Sequence, residues 1–378
     1  MKILLIPSWY PNRFNSNSGI FVREQAMTLH HAGFDIQVLG ALPVSVPQIC
    51  NLKKLTYKNF ESISVFPNNP YSEYLNMAFR FLLGLLKFWK YKRQYGLPNI
   101  IHLHTYSQGY LVRWLHLRYQ IPFIITEHYS KLLSQERMKS WEISFCRQLF
   151  QLSSLNIAVS ESQKRILEKL YGAPFSVMPN FVDLNKFAMG HEAQKKNKND
   201  CIQLLSVGNI TSNKGFQIII DALSQLNSDG VRYKLDIIGV GKYKADLLKL
   251  ESYQKHKENI NFLGLIPNSE LPKYYQRSNI YISASEVETF GITVIEALAC
   301  GTPVVVTAEG SKMLVTHNIH GIHADRSADS LAEAIEACSQ LRTPKKELRQ
   351  HIASSYSFEV MLKAYAKIYE RYTGIGLD

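Results

Sequence analysis

The chain has 378 residues, 46% of them hydrophobic and 20% charged, with a formal net charge of +12. That length exceeds one ordinary core and suits two domains, and the composition is that of a folded globular protein rather than a disordered or fibrous one. Five widely spaced cysteines (Cys50, Cys146, Cys201, Cys300 and Cys338) with no CxxC argue against a disulfide framework or a zinc site and point to a reducing compartment.

The opening MKILLIPSWYP holds an apolar run too short for a signal peptide and reads as a first strand over 3–6. A helix is expected over 21–32, closed by Gly33 as a C-terminal cap. Further strands are expected over 36–39, 100–103, 123–126, 156–159 and 175–178. The apolar stretch FRFLLGLLKFW (79–89) is too short to span a bilayer, so a cytoplasmic protein is expected. GHEAQKKNKND (190–200), polar and without periodicity, reads as an interdomain linker. A second series of strands follows over 202–207, 234–238, 260–262, 280–283 and 304–307. Helical patterns over 215–226 and 327–339 accompany them, and a last helix is expected over 358–372. Strands alternating with helices imply βαβ units and parallel sheets. Two doubly wound α/β domains facing a cleft are expected, with ligands at the carboxyl ends of the strands.

Charge is unevenly placed. Residues 1–180 hold 20 Lys and Arg against 9 Asp and Glu, a net of +11, whereas residues 181–378 balance 23 against 22. Lys87, Lys90, Lys92 and Arg93 follow directly on FRFLLGLL. Two readings stand side by side: an interfacial helix on an anionic membrane surface, or a core helix with a solvated basic end.

The chemistry concentrates in EVETFGITVIEALACGTPVV (286–305), where Glu288 and Glu296 bracket an apolar run. A buried carboxylate needs partners, because desolvating it unpaired costs several kcal/mol. Phe290 and Gly291 lead into a helix beginning at about Ile292, whose free amides and positive dipole end suit a phosphate. Glu296 falls about 7–8 Å further along that helix. There, a carboxylate suits the vicinal diol of a ribose whose diphosphate sits at the helix start. The competing reading is a glutamate hidden in a structural hydrogen-bond network. A second strand–loop–helix, LLSVGNITSNKGFQIIIDALSQL (204–226), places Lys214 and Gly215 at another helix start, within reach of a diphosphate.

Together these segments resemble a retaining glycosyltransferase of GT-B architecture, specifically glycosyltransferase family four, over essentially the whole chain. The resemblance is carried by the glutamate pair with seven intervening residues in ETFGITVIEALACGTPVV, the loop SVGNITSNKG and the hinge segment VMPNFVDLNKF. LDIIGVGK, NINFLGLIPNSELPKYYQRSNIYISAS and the tail YSFEVMLKAYAKIYERY complete it. It implies an acceptor-binding Rossmann-like domain over 1–185, with a C-terminal helix (356–378) returning to it, and a nucleotide-sugar domain over 186–355. It implies that Glu296 holds the ribose and Lys214 the diphosphate. Glu288, with the amides of Phe290, Gly291 and Ile292, contacts the donor sugar and distal phosphate. NSNSGIFVREQAMTLHHAGFDIQVL matches the family's first loop and places Gly19 near the diphosphate. IPFIITEHYS puts His128 beside the reacting sugar, and HLHTYSQG offers His104 as a weaker candidate on the acceptor side.

Three departures from the family pattern stand out. Asn209 replaces a phosphate-loop arginine, Ser18-Gly19 replaces Gly-Gly, and Gly310-Ser311 is followed by Met313 without the usual acidic residue. The activity implied is transfer of a sugar from a nucleotide diphosphate to a hydroxyl acceptor with anomeric retention. No metal and no cofactor beyond the nucleotide sugar is expected. A lipid-linked acceptor for cell-surface polysaccharide or glycolipid goes with the membrane reading. The alternative within enzymes is a nucleotide-sugar epimerase or hydrolase on the same fold. Nucleic-acid binding lacks a recognisable motif, and a dinucleotide oxidoreductase lacks GxGxxG after the first strand, where PSWYPN stands.

Overall fold

The computed structural model describes residues 1–12, 14–15, 17–44, 59–69, 71–133, 138–190, 201–226 and 232–375. Residues 191–200 of the expected linker lie outside these. The chain divides into two compact units, Met1–Pro179 with Met361–Asp378, and Asn180–Val360. The divisions fall a few residues away from those expected at 185/186 and 355/356.

The first unit is built on strands β1 (Lys2–Pro7), β2 (Asp35–Val44), β3 (Glu61–Pro67), β4 (Ile100–His104), β5 (Phe123–Glu127), β6 (Leu155–Ala158) and β7 (Ser176–Val177). All pair in parallel in the order β3-β2-β1-β4-β5-β6-β7. Helices α1 (Ile20–His31), α2 (Glu73–Tyr95), α3 (Gly109–Tyr119), α4 (Ser140–Leu152) and α5 (Glu161–Tyr171) connect them. β1, β4 and β5 are almost wholly buried, as a parallel sheet covered on both faces requires. Helix boundaries follow local chemistry. Ser72 and Ser160 accept amides at the starts of α2 and α5, and Gly172, at φ +68°, ends α5. Gly33, at φ +89°, is the residue just past the end of α1, where its amide bonds the carbonyl of His30.

The second unit repeats the plan with β8 (Ile202–Val207), β9 (Tyr233–Ile238), β10 (Ile260–Gly264), β11 (Ile280–Ser283), β12 (Val304–Val306) and β13 (Gly321–His323). These are parallel in the order β10-β9-β8-β11-β12-β13. Its helices are α6 (Phe216–Leu226), α7 (Lys244–Leu247), α8 (Glu251–His256), α9 (Leu271–Arg277), α10 (Ile292–Ala299), α11 (Glu309–Lys312), α12 (Ala328–Ser339) and α13 (Lys345–Tyr356). Helix α14 (Phe358–Thr373) runs from this unit into the first, where Met361, Tyr365 and Tyr369 are buried. In each sheet the strand order reverses once, between β1 and β4 and between β8 and β11, and loops diverge at such switch points.

Candidate active site

In the second unit the switch point brings two loops together. The loop after β8 passes Asn209, which is exposed, and closes in one 3-10 turn, Ser212–Lys214. Gly215 follows at φ +71°, where a Cβ would stand 2.1 Å from the Ala284 carbonyl oxygen, so only glycine lets the loop after β11 lie against it. The Glu286 amide donates to Asn213 O at 2.8 Å and fastens the two loops. Held this way, Lys214 Nζ pairs with Glu288 Oε1, and Ser285 Oγ donates to the same oxygen at 2.9 Å. Both side chains keep some exposure, 28% for Lys214 and 18% for Glu288.

Gly291, at φ +106°, starts α10, whose first amides lack intrahelical acceptors by geometry. Phe290 is buried edge-on to Tyr356, and Ile292 is half-buried. The Gly310-Ser311 departure packs directly behind this turn. A Cβ on Gly310 would meet Glu288 O at 2.0 Å, and one on Gly291 would meet Ser311 Oγ at 2.7 Å. Gly310 leaves room for the Glu288 backbone, and Gly291 for the Ser311 side chain.

Glu296 has partners within the protein. It is 5% exposed, and the Tyr275 hydroxyl on α9 donates to its Oε2 at 2.8 Å. Asn268 Nδ2 approaches Oε1 at 3.5 Å, and Lys186 Nζ donates to Asn268 Oδ1. Burial, then the Glu296 charge, pushes the Tyr275 hydroxyl well above its ordinary pKa, so it stays a donor. The carboxylate thus has the structural network that was the competing reading, 21 and 28 residues away in sequence.

In the first unit Gly19 caps α1 at φ +60°, with a would-be Cβ 2.3 Å from Trp9 O. The loop after β1 therefore folds tightly onto the helix start. Phe21 stands edge-on to His128 at 4.8 Å between centroids. His104, ending β4, lies parallel to His128, with His104 Nδ1 and His128 Nε2 3.1 Å apart. Burial, reinforced by the neighbouring imidazoles, drives His104 well below the ordinary histidine range. Burial also lowers His128, which keeps part of its surface open. Both rings are therefore neutral at pH 7.

Sequence reasoning missed what stands behind this pair. His102 is sealed between Tyr369 Oη and Thr126 Oγ1, each at 2.8 Å, and burial lowers its pKa to about 3. Glu127, beside His128 in sequence, is fully buried and its pKa is raised to about 8, because burial outweighs the amides of Tyr106 and Tyr129. Its signal was available: an acidic residue ending a strand with no other charge. Among the described residues no group of three or more His, Cys, Asp or Glu could hold a metal ion.

Comparison with known proteins fits this geometry. The family described as Glycosyltransferase Family 4 matches residues 18–186, and Glycosyl transferases group 1 matches residues 190–355. The chain belongs to the family 4 glycosyltransferases. The transferase is 26% identical over 357 residues to TuaC of Bacillus subtilis, named as a glycosyltransferase of teichuronic acid biosynthesis, covering 89% of this chain and 88% of that one. It is 26% identical over 337 residues to the alpha-monoglucosyldiacylglycerol synthase of Streptococcus pneumoniae, covering 82% and 73%. In fold it is similar to the sucrose-phosphate synthase of Thermosynechococcus elongatus. There the TM-score is 0.82 at 19% identity, over 99% of this chain and all of that one. The transferase thus has the GT-B fold, two Rossmann-like parallel-sheet domains.

Proposed function

We propose that this glycosyltransferase moves a sugar from a nucleotide diphosphate to a hydroxyl acceptor, with retention at the anomeric carbon and without a metal ion. The observation that carries this reading is the cation-lined turn at the start of α10. Lys214 is held by Glu288, three residues before the Gly291 cap of α10, where a diphosphate would find a cation and the positive end of a helix together. As the bond from the anomeric carbon to phosphate breaks, charge grows on the diphosphate, and Lys214 and the amides stabilise it more than the ground state. The acceptor oxygen attacks from the same face, and its proton passes to the departing phosphate oxygen. His128, neutral and weakly basic, serves as a hydrogen-bonding group that orients the sugar rather than as a general base, and His104, itself buried, acts through its contact with His128. Glu296, prepositioned by Tyr275, accepts from the ribose hydroxyls.

The relatives named for teichuronic acid biosynthesis and for monoglucosyldiacylglycerol synthesis support an acceptor belonging to a cell-surface polysaccharide or glycolipid. No helix among the described residues is long and apolar enough to cross a membrane. Transfer at the inner face of the cell membrane is the site we assign.

The test is a thermal-shift screen against nucleoside diphosphates and their sugars, followed by transfer assays with excess chelator and proton NMR of the product. A bound nucleotide raises the melting temperature by mass action. Stabilisation lost in Lys214→Ala, turnover unaffected by chelator, and a product with the donor's anomeric configuration support the reading. An inverted product, or activity that chelation abolishes and magnesium restores, overturns it.

A further inference from the structure

Helix α2 buries Asn76, Gly84, Phe88 and Tyr91 and turns a second apolar face outward. Leu75, Phe79, Leu82, Leu86 and Trp89 are each about half exposed, between 48% and 59%. Their spacing of four, three, four and three residues keeps them within about 80° of the helix circumference at 3.6 residues per turn. Tyr71, just before the helix, and Tyr74, in its first turn, are also exposed at the N-terminal end, at 97% and 62%. Alongside runs an apolar groove of about 410 Å³ lined by Tyr74, Met77, Phe81, Tyr110, Trp114 and Leu117. Scattered exposed leucines need no explanation, but a continuous stripe does.

Charge says what covers it. Lys90 and Arg93 are exposed and continue the line of the stripe at its C-terminal end. The other two cations have partners within the protein: Lys87 Nζ donates to Ser62 Oγ at 2.9 Å, and Lys92 Nζ sits 4.3 Å over the Tyr119 ring. The one acid of the helix, Glu73, lies at the far end, paired with Lys139 at 2.8 Å. A second copy of the helix would therefore offer Lys90 and Arg93 no free carboxylate. Anionic headgroups over an apolar interior offer both complements at once, and the aromatic ends suit the headgroup level.

We infer that the outer face of α2 docks on an anionic bilayer, with Leu75, Phe79, Leu82, Leu86 and Trp89 in the acyl boundary and Lys90 and Arg93 on the headgroups. This surface is separate from the nucleotide loops and stands whatever sugar is moved. It is tested with the full chain and vesicles of phosphatidylcholine with or without phosphatidylglycerol, at low and high salt. The wild type should co-sediment with anionic vesicles, lose affinity as salt rises, and bind neutral vesicles far less. Lys90→Gln with Arg93→Gln should weaken binding about thirty-fold. Leu82→Ser with Leu86→Ser should abolish it, and Arg165→Gln with Lys169→Gln, on exposed positions of α5, should leave it unchanged. Circular dichroism checks that each variant folds. Equal loss from both charge pairs would show diffuse attraction only and overturn the assignment. So would equal binding to neutral vesicles. A dimer in sedimentation velocity that dissociates in the Leu82/Leu86 variant, with no vesicle binding, would assign the face to a second copy instead.

Discussion

Glu127 offers the sharpest test of the buried chemistry behind His128. In the folded unit it holds its proton until about pH 8, whereas the unfolded chain releases it near the ordinary 4.5. A raised folded pKa contributes stability that is fully present below the unfolded value and is lost as pH rises through the folded one. At about 1.36 kcal/mol per pKa unit, about 2–3 kcal/mol of unfolding free energy should disappear between about pH 5 and pH 7 because of this one carboxyl. Glu127→Gln keeps the shape and removes the titration. The histidines act with opposite sign: His102, His104 and His128 sit below their ordinary value, so their contribution is present above about pH 6.5 and lost as pH falls. The variant-minus-wild-type difference cancels them. All four tryptophans (Trp9, Trp89, Trp114, Trp141) lie in the first unit, so urea unfolding followed by their fluorescence reports on it alone. The difference should climb by about 2–3 kcal/mol from about pH 5 to pH 7 and flatten above about pH 8. A flat difference across that window would show that Glu127 is solvated and the argument from burial wrong.

Glu296→Gln, which still accepts from Tyr275, should change stability by less than about 1 kcal/mol, while Glu296→Ala strands that buried hydroxyl and costs about 1–3 kcal/mol. Both should weaken nucleotide binding in calorimetric titration, and unchanged affinity in a folded variant would sink the ribose role. Lys214→Ala should lower kcat by about a hundred-fold or more with a smaller change in KM, and Asn209→Arg should raise activity if the missing cation limits turnover. Steady-state rates near wild type for Lys214→Ala would remove this residue from the mechanism. Gly215→Ala forces a side chain into a left-handed backbone and against Ala284 O, at a cost of at least about 2 kcal/mol by denaturation followed with circular dichroism. An unperturbed Gly215→Ala protein would mean the two loops are not pressed together as described.

The doubling of an α/β pattern was legible because parallel strands, buried on both faces, appear as short apolar runs such as LLSV and VVV. β3 and β13 were not. β3 alternates serine with apolar residues and follows a polar stretch, and β13 is three residues at a sheet edge. The Lys214–Glu288 neighbourhood was readable in outline, since glycines at both helix starts announce close backbone approach. Their direct pairing was not, because it depends on which strands are adjacent at the reversal of the sheet. The same limit explains Glu296. Local sequence shows only apolar neighbours, whereas Tyr275 and Asn268 arrive from the preceding helix and loop. His102 was overlooked because its partners, Thr126 and Tyr369, are 24 and 267 residues away.

That last separation bears on how the protein is made. The first unit needs residues from both ends of the chain, since Tyr369 lies against His102 and the whole second unit is encoded between them. Synthesis runs from the N-terminus, so the second unit's residues are all available while the first still lacks its closing helix. Until α14 emerges, His102 and the strands around it lack the cover that Tyr365 and Tyr369 provide. A nascent chain halted before residue 361 should therefore carry a finished second unit attached to an open-faced first one, exposed to chaperones and proteases for as long as the last helix is delayed.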